Sequence, residues 1–112
     1  MRYMLMLCGD DSSAEVAPDD AFIVACKAWN EEMQRRGVLR GVEGLRPPDE
    51  ARTVRVRAHQ VLLSDGPFAE TKEQIGGYCL VECANQDEAV ELASKHPWAR
   101  IGMIEVRPLW QP

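Results

Sequence analysis

Ser64-Asp65-Gly66-Pro67-Phe68-Ala69-Glu70-Thr71-Lys72-Glu73-Gln74-Ile75-Gly76-Gly77-Tyr78 gathers turn formers, ionisable side chains and aromatic rings more densely than any other stretch of the chain. The apolar run Val61-Leu62-Leu63 enters it and Tyr78-Cys79-Leu80-Val81 leaves it, so the segment bridges the ends of two strands. Loops of this kind, held by a rigid scaffold, are where function concentrates.

Immediately upstream, Thr53-Val54-Arg55-Val56-Arg57 alternates polar and apolar residues, the pattern of a strand with one wet face. Gln60 to Ser64 follows after only Ala58 and His59, which predicts a β-hairpin. Neither connecting residue is Gly, Asn or Asp, so a connection longer than two residues is expected, with His59 the better suited to positive φ. Residues 38–45 form a further strand, loosened by Gly41 and Gly44, expected to be bulged, and closed by Arg46-Pro47-Pro48. Across residues 18–36, Phe22, Ala25, Cys26, Trp29 and Met33 recur at spacings of three and four, one stripe of a helix. Pro18, Asp19 and Asp20 suit its first turn and Gly37 its stop. Residues 1–8 are almost continuously apolar, with Met4, Met6 and Cys8 facing one way and Tyr3, Leu5 and Leu7 the other, as in a strand buried on both faces. A polar linker, residues 9–18, joins this strand to the helix.

Downstream, residues 78–84 read as a strand, and Asn85-Gln86-Asp87-Glu88 as a helix cap with its capping-box glutamate. Ala89, Leu92, Ala93 and His96 share that helix's stripe, and Pro97 ends it. Residues 102–109 make a last strand, Ile104 and Val106 facing opposite to Met103, Glu105 and Arg107.

The 112 residues are enough for one domain with its own core, and 46% hydrophobic with 28% charged residues is ordinary globular usage. Thirteen basic against eighteen acidic residues give a net charge of −5 without a basic cluster, which argues against nucleic-acid binding. The initial apolar run is too short for a signal peptide or a membrane span, so a cytoplasmic location with no membrane partner is expected. Cys8, Cys26, Cys79 and Cys83 fall in predicted strands and helices and include no Cys-x-x-Cys pair, so reduced core thiols are expected and zinc is not.

The resulting order is a βαββαβ frame with an extra hairpin in its middle, a ferredoxin-like α+β sandwich. Two helices cover one sheet face, yet strands are apolar on both. A second copy packed sheet to sheet, giving a two-fold homodimer, is the expected cover for the other.

Asp65-Gly66-Pro67-Phe68, Ala69-Glu70-Thr71-Lys72-Glu73, Gly76-Gly77-Tyr78 and the late Gly102 with Ile104-Glu105-Val106-Arg107-Pro108 resemble the DGPF branch of the YCII-related family, over nearly the whole chain. The resemblance implies a dimeric α+β barrel and relatives whose genes often accompany extracytoplasmic-function sigma factors. It implies little chemistry: a few relatives are small-molecule lyases, and the family is usually drawn with a His and an Asp in a cleft. That histidine is expected near the start of the first helix, where this chain has none.

Asp65, just before Gly66-Pro67, suits either a cap on turn amides or a general base. Glu70 and Glu73 would share a face of a helical turn, with Lys72 pointing elsewhere, as a paired carboxylate site or as a solvated surface. His96, at the end of the second helix, is favoured as a protonated imidazole by the helix dipole, for acid-base work or as a structural hydrogen-bonding group. Arg107 could fork an anion or pair with Glu105. Phe68, Tyr78, Trp98 and Trp110 could line a pocket for a flat organic ligand, or serve as core and interface. Two functions follow. One is a lyase or isomerase with Asp65 as base, assisted by His96 or Lys72, and with Phe68, Glu70, Glu73, Tyr78 and Arg107 around the ligand. The other is a non-catalytic ligand-binding or regulatory homodimer, linked, as the resemblance implies, to an extracytoplasmic-function sigma factor pathway. Neither reading calls for a cofactor or a metal.

Overall fold

The computed structural model describes residues 1–9, 19–66 and 74–111. In chain order these form β1 (Arg2–Gly9), α1 (Asp20–Arg35), β2 (Leu39–Gly44), β3 (Arg52–Arg57), β4 (Gln60–Asp65), β5 (Gln74–Glu82), α2 (Gln86–Ser94) and β6 (Met103–Pro108), with short 3-10 turns at Pro48–Glu50 and Pro97–Arg100. Four strands make an antiparallel sheet in the order β2-β5-β1-β6, and β3 with β4 makes a separate two-stranded ribbon. This is the ferredoxin-like α+β frame with a hairpin spliced between its second and third strands.

Local chemistry sets the helix ends. The Asp19 carboxylate accepts from the Phe22 amide at 2.7 Å and caps α1, while Gly37, at φ 71°, turns the chain out of it. The Asn85 side chain accepts from the Glu88 amide at 2.9 Å, and the Glu88 carboxylate reaches back to the Ala84 amide at 3.1 Å, so α2 starts at the predicted capping box. The expected bulge in β2 is present: pairing with β5 shifts between Leu39 and Gly41. Arg40, at the shift, bonds the Gly37 carbonyl and the Glu82 carboxylate.

Register divides the strands into two faces. Tyr3, Leu5, Cys79, Val81, Ile104 and Val106 point to the helices and meet Trp29, Met33, Ala89, Leu92 and Ala93 in one core. The Trp29 indole N–H donates to the Leu92 carbonyl at 3.0 Å and ties α1 to α2 inside it. All four cysteines are free thiols. Burial pushes the Cys79 thiol up to about 11, with the nearby Cys26 adding to the rise, so Cys79 is core filling rather than a nucleophile.

On the opposite face, Met4, Met6 and Cys8 of β1 line up with Tyr78, Leu80 and Ile75 of β5 and with Met103, Glu105 and Arg107 of β6. The helices pack on the other face. The radius of gyration, 15.8 Å, exceeds the roughly 13 Å of a compact domain of this length.

Two expectations are corrected. The hairpin connection is only two residues, with Ala58 and His59 both at positive φ, 50° and 65°. A turn of this hand matches the twist of the strands, and pairing of Arg57 with Gln60 closes it despite the absence of glycine. Strand β5 also begins four residues before the predicted position, because the Gly76-Gly77 pair lies inside the sheet rather than in a turn.

Candidate functional site

Pairing of β1 with β5 puts Gly9 beside Gln74 at one end of the sheet, and residues 10–18 and 67–73 lie outside the described residues. That end of the sheet is built on glycine and tryptophan. The Trp98 indole N–H donates to the Cys8 carbonyl at 2.8 Å, and its ring meets Phe22 edge-on at 6.3 Å. A Cβ on Gly102 would lie 2.5 Å from that carbonyl oxygen and 2.7 Å from the indole nitrogen, so only glycine fits. A Cβ on Gly77 would lie 2.8 Å from the Glu43 carbonyl, in a sheet that closes tightly around β5.

The predicted acid-base residues take separate positions. Asp65 ends β4 opposite Arg52, with its carboxylate 93% exposed and 3.6 Å from the guanidinium. The Gly66 amide beside it donates to Ala51 at 2.7 Å, and the Gly66 carbonyl accepts from the Thr53 hydroxyl at 2.9 Å. Phe68, Glu70, Lys72 and Glu73 lie outside the described residues.

His96 is only 4% exposed, and its Nδ1 accepts from the Trp98 amide at 3.1 Å while its ring stands edge-on to Trp29 at 4.7 Å. Burial pushes the imidazole down to about 4. The expectation of a protonated imidazole is therefore reversed: α2 has already ended at Ser94, and loss of solvation outweighs the pull of the helix dipole. His96 is the neutral cap of the Pro97–Arg100 turn.

Arg107 forms an ion pair with Glu105 at 2.6 Å on the open face. Tyr78 is half-buried there, opposite Met6 on one side and Glu43 on the other. Trp98 is taken up by Phe22 and the Cys8 carbonyl, and Trp110 is 88% exposed near the chain end. A shared aromatic pocket thus reduces to Tyr78 among the described candidates.

Sequence reading passed over Asn30. Its Oδ1 is buried without a hydrogen-bond partner among the described residues, a state that costs about 1–3 kcal/mol. The signal was available, since Asn30 stands four residues after Cys26 and three before Met33, on the apolar stripe of α1. Among the described residues, surface grooves lie elsewhere. One, about 400 Å³, runs between α2 and β6 along Gln86, Val90, Ser94, Ile104 and Val106. Another, about 260 Å³, lies between α1 and the Pro97–Arg100 turn beside Trp29, Glu32 and Lys95. Neither is lined by the candidate acid-base residues. Among the described residues no cluster of three His, Cys, Asp or Glu could hold a metal ion, and no helix is long and apolar enough to cross a membrane.

The four-stranded antiparallel sheet with two helices on one face places the chain among the ferredoxin-like α+β proteins. The model of the YCII-related domain matches residues 1–111, and the chain belongs to that family. It is 37% identical over 110 residues to an uncharacterized protein of Rhizobium meliloti (strain 1021), an alignment that covers 93% of this chain and 89% of the relative.

Proposed function

We propose that the protein is a non-catalytic homodimer that holds a small organic ligand against the open face of its sheet, around Tyr78. The observation that carries this reading is the state of the described acid-base candidates. His96 is buried and uses its free lone pair on the Trp98 amide, Asp65 faces Arg52 in solvent, and Arg107 is occupied by Glu105. None is a desolvated group aimed into a cleft, which is how catalytic acids and bases are poised. The outer face of the sheet offers the half-buried Met4, Leu80 and Tyr78 beside the exposed Ile75 and Met103, an adaptable apolar surface with one phenolic hydroxyl and a charged rim of Arg107 and Glu105.

The test is a thermal-shift screen of small aromatic and acidic metabolites. A ligand should raise the melting temperature of the wild type and not that of Tyr78→Ala, and NMR spectra of each hit after prolonged incubation should show it unchanged. Conversion of a hit to product, lost in Asp65→Asn, would replace this reading with the lyase or isomerase one.

A further inference from the structure

The β3–β4 hairpin is the part of the fold that the other described elements leave uncovered. Val54 stands opposite Leu63 and Val56 opposite Val61 on one face of the ribbon, and these four side chains are 56–65% exposed. Thr53, Arg55, Arg57, Gln60 and Ser64 take the other face together with Leu62. The base is fastened through Gly66 to Ala51 and Thr53, but no other described element packs extensively on the ribbon. A two-stranded hairpin with no covered face is at best marginally stable in water.

Charge and area together identify the cover. Residues 52–65 carry three arginines and one aspartate, a net +2, which leaves −7 on the rest of a chain whose total is −5. The hairpin is therefore attracted to a body of the kind it is attached to. Its four apolar side chains present on the order of 400 Å², as large as the patches that mark interaction sites. Because a two-fold axis repeats every contact, two hairpins and the surfaces they cover would bury on the order of 1,600 Å², the size of a standard stable interface.

We propose that the hairpin is a dimerisation arm: the Val54, Val56, Val61 and Leu63 face of one copy lies on the outer sheet face of a second copy, over Met4, Leu80, Tyr78 and Met103, and forms one wall of the ligand cleft. The proposal rests on the homodimer reading above and names its interface.

Sedimentation velocity across a micromolar concentration series tests it with wild type, Val61→Glu on the docking face and Gln60→Glu, which makes the same change of charge, on the opposite face. The expected result is a wild-type dimer, a Gln60→Glu dimer of similar affinity, and a Val61→Glu dissociation constant raised roughly a hundredfold, because a charge is then desolvated in the interface. A monomeric wild type overturns both readings and assigns the hairpin to another partner. A dimeric Val61→Glu with native circular dichroism overturns only the arm. If Val61→Glu fails to fold, limited trypsin digestion of the wild type decides: cleavage after Arg55 and Arg57 should be slow in the dimer and at least tenfold faster after dilution to monomer. Equal rates would overturn the arm.

Discussion

The covered face of the sheet and the apolar face of the hairpin are made of the same kinds of residue at the same period of two. Leu5, Cys79 and Val81 have no exposed surface beneath the helices, whereas Val54, Val56, Val61 and Leu63 remain more than half in water. What differs is the element lying over them. Apolar side chains stabilise only through the area withdrawn from water, about 25 cal/mol per Å², so the same valine or leucine weighs heavily in one place and little in the other. The core holds the lone chain together, and under the proposed arm the hairpin's contribution would be realised on association.

The widest contrast should come from truncating one residue in each region. Leu5→Ala should cost about 3 kcal/mol in urea denaturation, while Val61→Ala, measured at a concentration where the chain is monomeric, should stay within about 0.5 kcal/mol. Equal losses would break the comparison.

A comparable effect probes the covered region through pH. The imidazole of His96 lies near 4 in the folded chain against 6.5 for the free group, so between these values the unfolded chain binds the extra proton. Its contribution is fully present above pH 6.5 and is lost as pH falls toward 4, on the order of 3 kcal/mol. His96→Asn, which keeps an acceptor for the Trp98 amide, should flatten the slope of stability between those limits. An unchanged slope would place the responsible group elsewhere.

Gly102→Ala should follow at about 1–2 kcal/mol, since the new methyl collides with the Cys8 carbonyl and the Trp98 indole. Gly44→Ala, with nothing within 4 Å of the added atom, is the matched comparison, and equal costs would remove the packing argument. The smallest effect belongs to the hairpin tip. His59→Gly relieves a residue at φ 65° and should stabilise the ribbon by about 0.5 kcal/mol, read as slower amide exchange in β3 and β4.

Much of the fold was legible because it rests on short-range periodicity. The stripe through Phe22, Trp29 and Met33, the Asn85–Glu88 cap and the alternation along β1 and β6 each depend on neighbours within a few positions. The Gly76-Gly77 pair misled for the opposite reason. Glycine there makes room for the Glu43 carbonyl, which the chain brings in from more than thirty positions away. His96 shows the same limit at the candidate site: its place near a helix end suggested a charged group, but its environment comes from Trp29, supplied by the other helix. Asp65 was read as a cap or a base, and the partner that meets it, Arg52, is a product of hairpin register.

The contact between Trp29 and His96 also makes the protein its own optical instrument. Trp29 is buried against an imidazole, Trp98 donates to a backbone carbonyl, and Trp110 is almost fully solvated, so the three indoles emit from three distinct surroundings. Protonation of His96 would place a quenching cation 4.7 Å from one of them. Acid titration followed at the blue edge of the emission band, with the Trp110 signal suppressed by a soluble quencher, would then report the core directly and without a label.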